Sequence, residues 1–383
     1  MNLPQTLLVL FFSGFLPVGM WAQAIPTMEA IQTFRIGGIN APEYAAFVRE
    51  PTIVAGSDNS IYVRSPQPPA MAVFDAQGQF LRTIGGEGEG PGEFRAAIAH
   101  GLLGDTLWVV DLGLLRASTF LSDGTHLRTW RLEPIDLGIR LSAPHTISAF
   151  LEGPYALAIP MALPLGFGRT QLPVLLGDRT LENPDTVLKV IKPSGLYVEG
   201  VGSFSFAPFP MPPLVSVAGN GSGFLSADWE AGGDALTITR YQPSGRVDWT
   251  KRLDVETAPI PKEVRDSLVS EGVSIAEPYL QRAQRRGTLG RGPLREVVAE
   301  GLYLPSEFPP ASQIRLGEDG SVWIRSGEFA EMAEWTVLDA DGQTNFRVQL
   351  PDGFRLQDCT LRTVWGTTTD EIDVPYIVRY DIR

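Results

Sequence analysis

Residues 58–65 read DNSIYVRS, a turn followed by a short strand of alternating apolar residues, and this pattern recurs five more times along the chain. The other copies are GDTLWVVD (104–111), GPYALAIP (153–160), GSGFLSAD (221–228), DGSVWIRS (319–326) and LRTVWGTT (361–368). Each copy has an aromatic residue or a leucine at its centre: Tyr62, Trp108, Leu157, Leu225, Trp323 and Trp365. Six spaced copies of one strand predict six repeated β units, with the three tryptophans buried between neighbouring units.

A β-hairpin follows most of these strands. Its pattern is an apolar strand, a tight turn that ends in glycine and a second strand, as in AVFDAQGQFLRTI, STFLSDGTHLRTW, KVIKPSGLYVEGV, TRYQPSGRVDWTK and TVLDADGQTNFRV. The turn glycines are Gly78, Gly124, Gly195, Gly245 and Gly342. Glycine supplies the positive φ that such turns need, so each unit is predicted to contain four strands.

The last unit lacks the second strand of its hairpin, because VPYIVRYDIR (374–383) is its final strand. The missing strand is predicted near the N-terminus. There, TFRIGGINAPEY (33–44) matches LRTIGGEGEGPGEF (81–94), the segment that ends the first hairpin. Residues 33–38 are therefore expected to pair with the C-terminal strand and to close a ring. Insertions between strands are expected at 158–190, 196–215 and 252–311.

The strand repeats, the turns that end in glycine and the segment IGGEGEGPGEF resemble the NHL-like and TolB-like six-bladed β-propellers, and more closely the secreted bacterial proteins of that superfamily. The resemblance covers residues 31–383. It implies an all-β, six-bladed propeller with four-stranded blades, in which the N-terminal strand closes the last blade. It implies no particular activity.

A small helical insertion is expected between blades 4 and 5, at about 258–305. Pro261 stands at a helix start, and the following KEVRDSLV has Val264 and Leu268 on one face. A second helical stretch is expected at 276–286, AEPYLQRAQRR.

The first 24 residues have the features of a secretory signal peptide, an apolar run at 3–20 followed by Ala22-Gln23-Ala24. We expect an exported protein, periplasmic or extracellular, whose propeller occupies residues 25–383; the alternative is an uncleaved membrane anchor. No later apolar run is long enough to span a membrane. The single cysteine, Cys359, excludes an intramolecular disulfide.

The formal net charge of −13 opposes binding to nucleic acid. The segment 281–295 reverses this sign, with five arginines and no acid. Four of them are candidate ligand-binding residues, because arginine holds carboxylates and phosphates through paired hydrogen bonds. These four are Arg282, Arg285, Arg286 and Arg291. The alternative is a solvated helix face that pairs with acids of neighbouring blades.

The uncharged segment 200–227 contains Phe204, Phe206 and Phe209. These rings are predicted to form an apolar wall over the mouth of the central channel; the alternative is a loop that packs against the blades. Together with the arginines they would bind a small amphipathic anion or an acidic protein segment.

Catalytic motifs are sparse, with no Gly-x-Ser-x-Gly and no glycine-rich phosphate loop. His100 and His145 lie near predicted innermost strands and could point into the channel, although a lone histidine is more often structural. Asp111 and Asp228 share one repeat position, and we interpret them as turn caps rather than as calcium ligands. The sequence favours a monomeric binding scaffold without a cofactor. The alternative is a channel-centred hydrolase or lyase of the lactonase or gluconolactonase type, with Ca²⁺ as its cofactor.

Overall fold

The structure, a computed structural model, describes residues 25–66, 69–132, 147–159, 171–191, 195–230, 234–326 and 332–383. The predicted signal peptide at 1–24 and His145 lie outside the described residues. The described strands form six blades of four antiparallel strands, one of which gains a fifth strand. The predicted fold, a six-bladed β-propeller, is confirmed.

The described chain begins with two strands that join the last two blades, β1 (Thr27–Met28) and β2 (Ala30–Gly37). Blade 1, from the inside of the ring outward, contains β3 (Thr52–Ala55), β4 (Ile61–Pro66), β5 (Pro69–Phe74) and β6 (Phe80–Ile84). Blade 2 contains β7 (Ala97–Leu103), β8 (Thr106–Asp111), β9 (Arg116–Leu121) and β10 (His126–Arg131). Blade 3 contains β11 (Ala149–Phe150), β12 (Tyr155–Ala158), β13 (Gln171–Asp178) and β14 (Asp185–Ile191).

A separate two-stranded hairpin follows blade 3, formed by β15 (Gly195–Val198) and β16 (Gly202–Ser205). Blade 4 contains β17 (Leu214–Val217), β18 (Phe224–Asp228), β19 (Ala235–Tyr241) and β20 (Val247–Asp254). Two helices come next, α1 (Lys262–Arg286) and α2 (Leu294–Gly301). Blade 5 contains β21 (Gln313–Leu316), β22 (Val322–Arg325), β23 (Met332–Leu338) and β24 (Thr344–Pro351). Blade 6 contains β25 (Arg355–Cys359), β26 (Thr363–Thr369) and β27 (Pro375–Ile382).

The ring closes by strand exchange, as predicted. Strand β2 pairs antiparallel with β27 and becomes the outermost strand of blade 6, with Ile36 opposite Ile377 and Ala30 opposite Ile382. Strand β1 pairs parallel with β24 as a fifth strand on blade 5. The N-terminal residues therefore hold the last two blades.

The central tryptophans of the repeats are buried between blades, which confirms the prediction. Trp108, Trp323 and Trp365 are 3%, 0% and 1% exposed. Trp323 of blade 5 clusters with buried residues of blade 6, and Trp365 of blade 6 clusters with residues of blade 1 and of β2. The ring of Phe34 meets Trp365 edge-on at 4.9 Å, so the closing strand also completes this part of the core.

Four of the predicted turn glycines have a positive φ: Gly78, Gly124, Gly245 and Gly342. The prediction for blade 3 was wrong. Gly195 belongs to the separate β15–β16 hairpin, and the outer hairpin of blade 3 is formed by β13 and β14 within the expected 158–190 insertion. Its turn has no glycine. Instead, the Asp178 carboxylate accepts the N–H groups of Thr180 and Leu181, and Leu181 adopts the positive φ of 52° that glycine adopts in the other turns.

The helices lie between blades 4 and 5, in the segment where an insertion was expected. The two stretches predicted as helical form one continuous helix, α1, which includes Pro278 and ends at Gly287 in the left-handed conformation, φ 74°. Its buried face, which includes Val269 and Leu280, packs against β15 and α2 in a hydrophobic cluster outside the blades.

We predict that ring closure dominates stability. Deleting residues 25–37 removes the β2–β27 ladder, and at roughly 1 kcal/mol per net hydrogen bond this loss is comparable with the whole stability of a domain. Deleting only 25–28 removes β1 and leaves the ladder intact, so it serves as the control. Thermal unfolding followed by circular dichroism should show a large fall in Tm for the longer deletion only. Equal melting of the two truncated proteins would disprove the closure model.

Candidate functional site

A cavity of about 690 Å³ lies at the centre of the ring. Residues from the inner strands of blades 1, 2, 4, 5 and 6 line it. Its polar lining residues are Glu50, Thr52, Arg64, His100, Gln313, Arg315, Arg325, Arg355, Gln357 and Asp358. Four arginines therefore face two carboxyl groups in the interior of a chain whose net charge is −13.

The loop after β17 forms the floor of the cavity. The Gly219 carbonyl accepts the N–H of Leu102 in blade 2 at 2.9 Å. The Asn220 side chain donates to the Glu318 carbonyl of blade 5 at 3.0 Å, and the Gly221 carbonyl accepts the N–H of Glu152 beside blade 3 at 2.9 Å. This loop of blade 4 thus bonds to residues of three other blades and closes one end of the cavity.

Gly219 also lies against blades 1 and 6. A Cβ at this position would come within 2.5 Å of Val54 Cγ2 and 3.2 Å of Asp358 Oδ2. Only glycine fits without displacing neighbours, since Cβ contacts under about 3 Å require something to shift.

Beside the floor, Asp358 links blade 6 to blade 1. Its Oδ2 accepts the Ala55 N–H at 2.7 Å, and its Oδ1 accepts the Cys359 N–H at 2.8 Å. Burial raises the pKa of Asp358 to about 6, against the opposing effect of these hydrogen bonds. Both carboxylate oxygens are occupied by backbone groups, so Asp358 is a structural link.

Glu318 lies in the turn between β21 and β22, next to this link. Its Oε1 is buried and has no hydrogen-bond partner among the described residues. Burial, with the nearby charges of Asp358 and Asp319, raises the pKa of Glu318 to about 9. The Glu318 side chain is therefore protonated at neutral pH.

Three adjacent blades each contribute one arginine at the end of the cavity that is opposite to the floor loop. Arg64 is opposite Thr52 in blade 1, Arg325 is opposite Gln313 in blade 5, and Arg355 is opposite Thr367 in blade 6. Blades 5, 6 and 1 are neighbours in the ring. Blades 2 and 4 instead present Ile98, Ala99, His100, Val217 and Gly219 to the cavity. One half of the cavity wall is thus polar and basic, and the other half is mainly apolar.

Two of these arginines have carboxylate partners. Arg355 pairs with Glu50, whose carboxylate also accepts the Thr367 hydroxyl, and Arg325 pairs with Asp352. Their charges are largely compensated within the protein.

Arg64 and Arg315 make no ion pair with a described residue. The Arg64 guanidinium donates to Thr52 Oγ1 at 2.9 Å and to the Ala97 carbonyl at 2.7 Å, and Arg315 donates to the Leu356 carbonyl at 2.9 Å. Burial lowers the pKa of both guanidinium groups, although arginine stays protonated in proteins. Arg64 is therefore held at the cavity wall by neutral acceptors only, whereas the charge of Asp358 lies near Arg315 and opposes the effect of burial on its pKa.

His100 lines the same wall, in agreement with the functional interpretation of the sequence. Its Nε2 lies 3.3 Å from the Tyr62 carbonyl. Burial, and then the charge of Arg64, lower the pKa of His100 to about 3, so the ring is neutral.

The apolar wall predicted over the channel mouth is not open. Phe204 meets Tyr279 of α1 edge-on at 5.6 Å, and Phe206 packs into the cluster of α1, α2 and β15. Phe209 is 2% exposed and contacts Phe308. The insertion covers these rings because its own helices need an apolar partner face.

The predicted arginine site lies on the surface. Four arginines there are exposed, and their side chains make no hydrogen bond or ion pair with a described residue: Arg282, Arg285, Arg286 and Arg291. Arg285 and Arg286 occupy the last turn of α1, where a positive charge stabilises the helix dipole. The structure brings the phenylalanines and α1 together, but none of these seven residues lines the central cavity. Ligand binding at the surface site stays a prediction.

The acids weighed as calcium ligands have other surroundings. Asp111 is buried and accepts the N–H groups of Arg95, Ala96 and Leu114, so it caps a turn as interpreted. Asp228 is exposed. Within the described ranges, no three histidine, cysteine, aspartate or glutamate side chains are grouped so that they could hold a metal ion. No described helix is long and apolar enough to cross a membrane.

Reasoning from the sequence missed the cavity arginines. A signal was present, because Arg64 and Arg325 occupy the same position in IYVRS and VWIRS, two residues after the central aromatic. Most other copies have an apolar residue there: Val110, Ile159 and Ala227. A charged residue at a repeat position that is otherwise apolar indicates a side chain facing a polar cavity.

No family model matches the sequence, and no curated protein matches it. Among solved structures, the chain is similar to a member of the DUF4221 family from Bacteroides vulgatus, with a TM-score of 0.50 and 11% identity over 93% of this chain and 98% of that one. The fold is a six-bladed β-propeller.

More distant similarities connect this propeller with virginiamycin B lyase from Staphylococcus aureus and with BamB from Moraxella catarrhalis. For the lyase the TM-score is 0.37 at 10% identity, over 87% of this chain and 94% of that one. For BamB the TM-score is 0.31 at 9% identity, over 86% of this chain and 71% of that one. At such identities the similarity concerns the fold alone.

Substituting the floor glycine tests the closed end of the cavity. Gly219→Ala should cost about 1–3 kcal/mol of unfolding free energy, because the added methyl group meets Val54 and Asp358. Gly86→Ala is the matched control, since a Cβ at Gly86 meets nothing within 4 Å. The double variant Gly219→Ala, Val54→Ala should lose less unfolding free energy than the two single variants lose together, because the shortened side chain makes room for the added methyl group. Chemical denaturation that gives equal stability for Gly219→Ala and Gly86→Ala would contradict the described floor.

The protonated Glu318 makes stability depend on pH. Its pKa is raised to about 9 in the folded protein from 4.5, so the folded state keeps a proton that the unfolded state releases. The stabilisation of the folded state that comes from this protonated group is complete below about pH 4.5 and is lost as pH rises towards about 9. We expect Glu318→Gln to flatten the fall in Tm over this interval. Glu271→Gln, at an exposed position, should show the same dependence of Tm on pH as the wild type. Parallel curves of Tm against pH for all three proteins would refute the prediction.

Proposed function

We propose that this propeller is a binding protein for a small organic anion, held in the central cavity. The observation on which the proposal rests is Arg64, a cavity-lining guanidinium group without a carboxylate partner among the described residues, together with Arg315 on the same wall.

Electrostatics supports an anionic ligand. A cation removed from water is costly unless an anion or several acceptors compensate it, and the Arg64 guanidinium has only two neutral acceptors. A carboxylate or phosphate would supply the missing charge through paired hydrogen bonds. Groups with perturbed pKa values that converge on one cleft are also typical of functional sites.

The shape and lining of the cavity support an amphipathic ligand. Its volume of about 690 Å³ lies in the usual range for small-molecule sites. Ile98 and Val217 offer an apolar surface across from the arginines of blades 5, 6 and 1. The predicted ligand class, a small amphipathic anion, is thus kept in the proposal, while the proposed position moves from the surface of the insertion to the cavity.

Export is a further part of the proposal, and its support is the signal-peptide pattern of residues 1–24. The acidic surface would repel anions in general, so that only an anion that fits the cavity remains bound. The calcium-dependent hydrolase or lyase considered from the sequence stays a prediction.

Calorimetric titration with phenylacetate, an apolar ring that bears one carboxylate, tests the site. Arg64→Gln and Arg315→Gln should each weaken binding about tenfold or more, because a charge-assisted hydrogen bond is lost in the interior. The comparison variant is Arg282→Gln, which alters an exposed arginine of α1 and should bind like the wild type. Tm values for all variants verify that they fold.

Two results would overturn the proposal. One is a wild-type protein that binds neither phenylacetate nor benzyl phosphate, the same ring with a different anionic group. The other is unchanged binding in both cavity variants. Loss of binding in Arg282→Gln would instead support the surface site predicted from the sequence.

A further inference from the structure

The orientation of His100 fixes which of its ring nitrogens has the proton. Nε2 lies 3.3 Å from the Tyr62 carbonyl, and a carbonyl oxygen can only accept a hydrogen bond. Nε2 is therefore the donor. Because the pKa of His100 is lowered to about 3, the neutral ring has no second proton, and Nδ1 is left with a free lone pair.

No described residue donates to this lone pair, since the only described hydrogen bond of the His100 side chain is the one at Nε2. The side chain lines the cavity and is half-buried. His100 is thus a neutral hydrogen-bond acceptor in the cavity wall, and the proposed binding of an anion does not account for it.

Two hydrogen bonds hold His100 beside Arg64. Arg64 of β4 in blade 1 donates to the carbonyl of Ala97 in β7, and His100 of β7 in blade 2 donates back to the carbonyl of Tyr62 in β4. The two bonds cross-link neighbouring strands in opposite directions. The pKa of His100 also responds to the charge of Arg64, as expected for adjacent groups.

The cavity wall therefore presents the guanidinium group of Arg64, a donor suited to an anion, next to Nδ1 of His100, a neutral acceptor. In Arg64, Nε bonds to Thr52 and Nη1 bonds to Ala97, which leaves Nη2 without a described partner. A ligand that satisfies both side chains needs an anionic oxygen and, close to it, a hydroxyl or N–H group that donates.

We propose that the cavity ligand is a 2-hydroxy acid with an apolar substituent: its carboxylate bonds to Arg64, its hydroxyl donates to Nδ1 of His100, and the substituent lies towards Ile98 and Val217. This inference rests on the proposed function and narrows it to one ligand class. The carboxylate and hydroxyl of a 2-hydroxy acid are on adjacent carbons, which matches the adjacency of Arg64 and His100. A simple carboxylate leaves Nδ1 unpaired, and burying an unpaired acceptor costs binding energy.

Mandelate and phenylacetate are matched probes, because they differ by the 2-hydroxyl group alone. Calorimetric titration of the wild-type protein should show mandelate binding about tenfold more tightly, the usual effect of one well-placed hydrogen bond in a buried site. Mandelamide, which keeps the hydroxyl and loses the charge, should bind much more weakly than mandelate.

Substitution of His100 separates a role in ligand recognition from a role in stability. In His100→Phe the preference for mandelate over phenylacetate should disappear, because mandelate loses the acceptor for its hydroxyl and phenylacetate no longer leaves Nδ1 unpaired. His100→Asn, which keeps an acceptor oxygen near the position of Nδ1, should restore part of the preference. A purely structural role of His100 would change both affinities alike. If the phenylalanine variant does not fold, His100→Leu provides the same comparison.

The outcomes distinguish this inference from the proposal on which it depends. If the wild type binds both acids equally, the anion site stands and the hydroxy-acid inference fails. If His100→Phe keeps the full preference for mandelate, the hydroxyl is recognised elsewhere and the inference also fails. If neither acid binds but benzyl phosphate does, the anion site stands and the hydroxy-acid inference fails. If none of the three compounds binds, the proposed function is itself wrong.

Discussion

The ladder between β2 and β27 is the contact on which the rest of the molecule depends. It makes blade 6 complete, and a complete blade 6 is what brings blades 5, 6 and 1 together. The arginines at the basic half of the cavity come from these three blades, on both sides of the closing seam. Strand exchange between the two ends of the chain is therefore a condition for the candidate site as well as for the ring.

The glycine-rich floor loop links the blades near the axis of the ring through its backbone groups. Near the axis of the ring the inner strands leave little room, and the backbone of Gly219 lies directly against side chains of blades 1 and 6. Because backbone groups rather than side chains fill this centre, their N–H and carbonyl groups can bond to other blades. The floor thus adds a hydrogen bond between blades 2 and 4, which are not neighbours in the ring, besides its bonds to blades 3 and 5.

The fold could be predicted from the sequence because each blade repeats a local pattern, and the matched segments 33–44 and 81–94 indicated the closing strand. The outer turn of blade 3 could not be predicted in this way, since an aspartate cap and Leu181 at positive φ replace the expected glycine. The candidate site was harder still. Its residues lie far apart in sequence, and their convergence depends on the register of inner strands, which a single sequence does not specify.

The charge distribution explains how an acidic chain can hold an anion. Arg64 and Arg315 are fixed by hydrogen bonds to neutral oxygens of neighbouring strands, so their orientation is set during folding and does not depend on a ligand. Binding then needs little ordering of flexible side chains, which is a main cost of recognition at a surface. The surface arginines of α1 lack such supports. For an anion of the same charge, the cavity is therefore the better prepared site, because its donors are already oriented and partly removed from water.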